Sequence, residues 1–86
     1  MTACYSVLVK SGAEREIRNL LAADRKRVPS RIGRLASDPR PPDCKKLQGT
    51  DAYRIRQGDY RILHAVDDPK RVVIVYRVGQ RSEVYR

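Results

Sequence analysis

One stretch decides the fold of this chain: Tyr53-Arg54-Ile55-Arg56-Gln57-Gly58-Asp59-Tyr60-Arg61-Ile62-Leu63. Strand-forming residues flank a Gly-Asp pair. A two-residue loop that begins with glycine is typical of a type II′ hairpin, because glycine accepts a positive φ at little cost. This loop fixes the register of the two strands, so that Gln57 is predicted to face Tyr60 and Arg56 to face Arg61.

The predicted hairpin has two unlike faces, because side chains alternate along a strand. One face is largely apolar and contains Tyr53, Ile55, Tyr60 and Ile62. The other face carries three arginines: Arg54, Arg56 and Arg61. Like charges directly across a ladder destabilise it. The arrangement therefore predicts a site for an anion.

Two helical patterns precede the hairpin, after a first strand predicted over Cys4 to Val9. Ser11 and Glu14 have the spacing of a capping box at a helix start. Apolar residues then recur at helical spacing: Ala13, Ile17, Leu20 and Leu21. The second pattern consists of Val28, Ile32, Leu35 and Ala36, and Pro29 is expected in its first turn.

Further strands are predicted on both sides of the hairpin. A proline-rich loop over 38–43 leads into a possible short strand from Lys45 to Gln48. The second hairpin strand is expected to run to about Val66. Arg71 to Val78 contains a continuous apolar run, which favours an interior strand buried on both faces and ended by Gly79. The order β-α-α-β-β-β, with the extra short strand, predicts an α+β fold: two N-terminal helices packed on one face of a small, mostly antiparallel sheet.

Composition limits the class of protein. The chain has 86 residues, which predicts a single domain over 1–86, and a formal net charge of +9. This charge favours nucleic acid, an anionic membrane surface or an acidic protein as partner. No apolar run approaches the roughly 18 residues that span a membrane, and no signal peptide is visible. We therefore expect a cytoplasmic location.

Several residues that could carry chemistry have simpler roles. Cys4 and Cys44 are far apart and lack a nearby histidine cluster, so we expect free thiols and no metal site. His64 is predicted to be a hydrogen-bonded core or edge residue. Asp67 and Asp68 are predicted to form a turn. No glycine-rich phosphate loop is present, which argues against a nucleotide cofactor.

A cationic and phenolic set remains, consisting of Arg54, Arg56, Arg61, Arg81 and Tyr85. Arginine binds phosphate oxygens bidentately and stabilises developing negative charge. Tyrosine can stack on a base or exchange a proton. Such a set can act on a phosphodiester without metal, with the RNA 2′-hydroxyl as nucleophile. The alternative is that these arginines are ordinary surface charges and that Tyr85 covers the sheet edge.

Several short motifs resemble the RelE branch of the RelE/ParE toxin superfamily: Lys46-Leu47-x-Gly49, Tyr53-Arg54-Ile55-Arg56, Gly58-Asp59-Tyr60-Arg61, Val78-Gly79-x-Arg81 and Glu83-Val84-Tyr85. The resemblance implies a toxin of a type II toxin–antitoxin pair that cleaves mRNA in the ribosomal A site, leaving a 2′,3′-cyclic phosphate and a 5′-hydroxyl. It implies an acidic antitoxin, the ribosome and mRNA as partners, with no membrane and no cofactor.

The resemblance also implies roles for individual residues. Arg61 and Arg81 match arginines that contact the scissile phosphate, and Tyr85 matches an aromatic residue that stacks on the substrate or exchanges a proton with it. The remaining matches are basic substrate-binding positions: Lys46, Arg54 and Arg56. Gln80 departs from the pattern, since many relatives have histidine there, and the general base stays unidentified.

Two other functions are compatible with these residues. One is a ParE-like inhibitor of DNA gyrase, which shares the fold but generally lacks the nuclease residues. The other is a basic RNA-binding domain without catalytic activity, which predicts salt-sensitive binding and no cleavage.

Overall fold

A five-stranded sheet carries two helices on one of its faces. The computed structural model describes residues 4–80. Its elements are, in chain order, β1 (Ser6–Val9), α1 (Ser11–Arg18), α2 (Ala22–Gly33), a 3-10 turn (Arg34–Ala36), β2 (Lys45–Lys46), β3 (Ala52–Gln57), β4 (Tyr60–Asp67) and β5 (Val72–Gln80). The strand order is β1-β5-β4-β3-β2, with β1 parallel to β5 and the other pairs antiparallel. The predicted fold class is confirmed.

The hairpin of β3 and β4 has the predicted register. Gln57 pairs with Tyr60, Arg56 with Arg61 and Ile55 with Ile62. Gly58 has φ +61°, whereas Asp59 has a negative φ. This combination is that of a type II′ turn, whose twist matches the twist of the flanking strands.

The core lies between the helices and the apolar face of the sheet. Ile55 and Ile62 are fully buried there, together with Val73, Val75 and Val78 of β5. The helical side contributes Ala13, Leu20, Val28, Ile32 and Leu35. Burial of these side chains, rather than helix propensity, holds two short helices in place.

The helix starts differ from the predictions. Ser11 is the first residue of α1 and Lys10 is its N-cap, which makes no side-chain capping bond, so the predicted capping box is wrong. Leu21, counted in the apolar pattern of the first helix, is instead the N-cap of α2 and is 75% exposed. Because α2 already begins at Ala22, Pro29 lies in its interior and not in the first turn. Burial of the adjacent Val28 offsets the backbone hydrogen bond that proline removes.

The last strand is longer and less buried than expected. β5 is an interior strand, as predicted, but it runs through Gly79 to Gln80 and begins after Arg71. Val73, Val75 and Val78 are buried, whereas the residues between them are half-exposed, so burial on both faces is wrong. Leu63 pairs with Arg77 and His64 with Val75, which leaves Tyr76 as the extra residue of a bulge.

Candidate functional site

The hairpin and β2 present one cationic surface. Residues that pair directly across a ladder point to the same face of a sheet. Arg56 pairs with Arg61, and Lys45 of β2 pairs with Arg54. The surface, called the basic face below, therefore consists of Lys45, Arg54, Arg56 and Arg61, on the side of the sheet opposite the helices.

Arg61 is the buried member of the basic face. Arg61 is only 4% exposed, whereas its cross-strand neighbour Arg56 is exposed. The Nε atom of Arg61 is buried and has no hydrogen-bond partner within residues 4–80. Arginine stays charged in proteins. A charged group with an unused donor is poorly compensated, and an anion that reached this donor would be bound strongly.

A groove runs along the exposed part of the basic face. It has a volume of about 350 Å³ and is lined by Asp43, Lys45, Arg54, Arg56, Gln57 and Gly58. The carboxylate of Asp43 forms an ion pair with Arg31 of α2. Its negative charge is thereby offset, so the groove keeps its cationic character.

The structure separates the two lysines of β2. Lys46, the residue named from the sequence motif, pairs with Tyr53 and so lies on the opposite face from Arg54 and Arg56. Lys45 is on the basic face and lines the groove. The sequence did not single out Lys45, because nothing local fixes the register of a strand of two residues.

Arg81 and Tyr85 lie outside the described residues, so their predicted positions stay predictions. The described part of β5 ends at Gln80, which is exposed and pairs with Tyr60. Gly79 pairs with Arg61. In the sequence, Arg81 thus follows directly after the strand that pairs with β4 at Arg61.

A second polar cluster lies at the opposite end of the sheet and was not predicted. Arg40 of the proline-rich loop binds Asp68 with both terminal nitrogens, at 2.8 and 3.1 Å, and donates its Nε–H to the Tyr53 hydroxyl at 2.9 Å. The Tyr5 hydroxyl donates to Asp68 at 2.7 Å. The hydrogen bonds from Arg40 and Tyr5 lower the pKa of Asp68, and the bond to Asp68 raises the pKa of Tyr5. This cluster ties the loop to the turn between β4 and β5.

His64 lies within the sheet beside this cluster, as the sequence predicted. Its ring is fully buried, stacks on Tyr53 and has Nε2 at 2.8 Å from the carbonyl oxygen of Pro39. Burial is the main cause that lowers the pKa of His64, and Arg40 and Arg31 lower it further. A neutral ring that donates to this carbonyl has no accessible atom with which to act on a substrate. Asp68 lies in the turn after β4, as predicted, whereas Asp67 is the last residue of β4 and its carboxylate accepts a bond from the Lys70 amide of that turn.

The described residues bring together no metal site of the common kind. Within 4–80, no group of three histidine, cysteine, aspartate or glutamate side chains is placed to hold an ion. Both cysteines are free thiols. Neither helix in this part of the chain has the length and apolar character needed to cross a membrane.

Comparison with known proteins identifies the family. Residues 7–85 match the model of the ParE toxin of the type II toxin–antitoxin system parDE. The chain belongs to the RelE/ParE superfamily. Toxin RelG of Mycobacterium tuberculosis, one of its relatives, is 32% identical over 93 residues, which cover 95% of this chain and 97% of RelG. The resemblance drawn from the motifs is confirmed, and the protein is a toxin of a RelE/ParE type II system.

Solved RelE structures share the fold over nearly the whole chain. The archaeal RelE–RelB complex from Pyrococcus horikoshii OT3 gives a TM-score of 0.83 at 29% identity, covering 98% of this chain and all of that one (100%). The isolated E. coli RelE toxin gives 0.77 at 34% identity, covering 94% of this chain and 90% of RelE. The RelE/ParE sheet with its two helices is therefore the scaffold on which the basic face is built.

Proposed function

We propose that this RelE/ParE toxin is a ribosome-dependent endoribonuclease that cleaves mRNA in the A site without a metal. The observation that carries the proposal is the buried Arg61 guanidinium with its unused Nε–H, on a face that it shares with Lys45, Arg54 and Arg56. If these residues were ordinary surface charges, all of them would be expected to be exposed, whereas Arg61 is buried. A buried cation beside a cationic groove fits a phosphodiester whose reacting phosphate lies deeper than the rest of its backbone.

The proposed reaction is an internal phosphoryl transfer. The 2′-hydroxyl of the nucleotide before the cut attacks the adjacent phosphorus and loses its proton. The bond from phosphorus to the 5′-oxygen of the next nucleotide breaks, and that oxygen takes up a proton. The products are a 2′,3′-cyclic phosphate and a 5′-hydroxyl. RNA supplies its own nucleophile, so the protein needs only to orient it, move protons and stabilise charge.

Each residue of the set has a proposed role. Arg61 and Arg81 stabilise the negative charge that grows on the phosphate oxygens in the transition state. Lys45, Arg54 and Arg56 hold the flanking backbone, and Lys45 replaces Lys46 in this role because of the face on which it lies. Tyr85 stacks on a base or exchanges a proton, and it is our first candidate for the general base.

The proposed partners are an antitoxin, the ribosome and mRNA. Complexes of RelE with RelB antitoxins are known from Pyrococcus horikoshii and E. coli. We propose that this toxin binds a comparable antitoxin of acidic character, since its net charge is +9. The same charge suits ribosomal RNA.

A second function deserves a direct test, because the matching family model is named for ParE. A ParE-like toxin acting on DNA gyrase would use the same fold without the nuclease residues. The relative named RelG, together with the arginines of the basic face, favours RNA as the target.

The deciding experiment is primer extension on mRNA after induction of the toxin, with purified ribosomes and mRNA as the matching assay in vitro. Cleavage that is phased to codons, depends on ribosomes and leaves a 2′,3′-cyclic phosphate and a 5′-hydroxyl is expected. Growth arrest with intact mRNA, DNA breaks and an SOS response would replace the proposal with gyrase inhibition. Salt-sensitive RNA binding without cleavage or toxicity would leave a non-catalytic RNA-binding domain.

A further inference from the structure

Among residues 4–80, the C-terminal half of β5 has a strand neighbour on one side only. β1 pairs with β5 only from Val72 to Val75, and the Lys10 amide makes the next bond, to the Val75 carbonyl oxygen at 2.8 Å. The chain then turns into α1. From Tyr76 onward, β5 is paired only with β4 within the described part of the chain. Unpaired backbone amides at such an edge need another partner.

Glu16 of α1 supplies that partner. Its Oε1 accepts the Val78 backbone N–H at 2.9 Å, and its Oε2 accepts the Arg77 Nε–H at 3.2 Å. The Glu16 carboxylate thus binds the edge of β5 where a neighbouring strand would otherwise pair, just after the bulge at Tyr76. The Glu16 and Arg77 side chains are only about a third exposed, at 31% and 37%, so water competes with these bonds less than at a free surface.

The backbone atom that Glu16 holds is close to the proposed chemistry. Val78 is adjacent to Gly79, which pairs with Arg61. Arg81 comes two residues after Gly79 in the sequence. A shift of the end of β5 would therefore move Gly79 relative to Arg61, the arginine assigned to the phosphate within the described residues.

We propose that Glu16 is a positioning residue for cleavage: by holding Val78, it fixes the end of β5 relative to Arg61 without itself contacting RNA. This inference rests on the proposed function. Misplacement of catalytic groups by about 1 Å can cost about 100-fold in rate. Loss of the Glu16 bonds should change substrate binding by the exposed cations of the basic face only a little. We therefore expect it to lower kcat and to leave KM nearly unchanged.

The test compares three variants in the ribosome-bound mRNA assay, each also examined by amide hydrogen exchange. Glu16→Ala removes both bonds and is expected to lower kcat about 10- to 100-fold, with KM within about twofold of wild type. Glu16→Gln keeps an amide oxygen that can accept the Val78 N–H, and it should restore kcat to within about threefold. Glu14→Ala is the matched control, because Glu14 lies on the same helix with an exposed pair to Arg18 and loses the same charge.

Amide exchange gives a reading that does not depend on cleavage. The Val78 amide is expected to exchange faster in Glu16→Ala than in Glu14→Ala, while the amides of β4 keep their wild-type rates. Unchanged exchange at Val78, or a kcat for Glu16→Ala equal to that of Glu14→Ala, overturns the inference. Wild-type protein that leaves mRNA intact overturns the proposed function and the catalytic part of the inference. Exchange at Val78 still decides whether Glu16 holds the strand.

Discussion

Burial of the Arg61 charge is unfavourable for folding, whereas the proposed chemistry requires that charge. The Arg61 guanidinium is almost entirely buried, and its Nε–H finds no acceptor among residues 4–80. Burying a charge without full compensation costs free energy, and an apolar side chain of similar volume is often neutral or stabilising in its place. A residue kept under those conditions is expected to serve the substrate.

Replacement of Arg61 by methionine should separate activity from stability. We expect mRNA cleavage to fall by about 100- to 1,000-fold, because a preorganised donor to the developing charge is lost. The free energy of unfolding should stay equal to that of wild type or rise. Single-turnover cleavage and urea denaturation measure the two effects. A variant that cleaves normally would remove Arg61 from the mechanism.

The two lysines of β2 form a natural pair for a second test. Both are exposed neighbours of the same charge, and they differ mainly in the face on which they lie. Lys45→Ala should weaken binding of single-stranded RNA and reduce the salt slope of the binding constant by about 1. Lys46→Ala should leave both nearly unchanged. Fluorescence anisotropy at several salt concentrations measures the slope, and equal losses for the two variants would argue against the basic face as the binding surface.

At the scale of the element, the hairpin is the part of the molecule that depends most on a single backbone conformation. Gly58 adopts φ +61°, and no heavy atom lies within 4 Å of the position that a Cβ would take. A substitution there is therefore strained by the backbone conformation and not by crowding. Gly12 of α1 has similar open space without the positive φ.

Alanine at these two glycines should have opposite effects. Gly58→Ala is expected to destabilise the protein by about 1–2 kcal/mol, the cost of a left-handed conformation for a residue with a Cβ. Gly12→Ala should be neutral or stabilise by up to about 1 kcal/mol, because alanine loses less entropy in a helix. Urea denaturation monitored by circular dichroism compares them. Equal stabilities would contradict the assignment of the turn.

The elements also show which features could be predicted from the sequence. The hairpin was predictable in type and register because a two-residue turn is set by local chemistry. The helix starts were not, because Ser11 and Pro29 fit a local rule while packing against the sheet decided where α1 and α2 begin. The face of Lys45 and the bond between Arg40 and Asp68 depend on pairings between distant segments, which no local pattern contains.

At the scale of the whole molecule, burial of His64 makes folding sensitive to pH. Its folded-state pKa is lowered from 6.5, chiefly by burial, so the unfolded chain takes up this proton more readily than the folded protein as the pH falls below that value. Stability is then full above about pH 6.5 and decreases below it. Asp68 has a lowered pKa too, but its contribution is lost only below its ordinary value of 3.8 and does not affect this range.

The free energy of unfolding should therefore fall between pH 7.5 and 5.5, by at most about 1.4 kcal/mol per pH unit from His64. In His64→Gln the amide can still donate to the Pro39 carbonyl oxygen but does not titrate. We expect a lower stability at neutral pH and a flatter dependence over the same range. Urea denaturation at a series of pH values measures both proteins, and parallel curves would exclude His64 as the titrating group.

The position of β5 has a consequence for how the protein is made. This strand lies between β1 and β4, and it supplies Val73, Val75 and Val78 to the core. Ser6 of β1 pairs with Val72 of β5, so both helices and the hairpin lie between these two partners in the sequence. During translation the first strand, the helices and the hairpin all emerge before the strand that joins them. A nascent chain thus cannot join β1 to the hairpin in one sheet until β5 has been synthesised, so no copy is folded while the ribosome is still translating the hairpin.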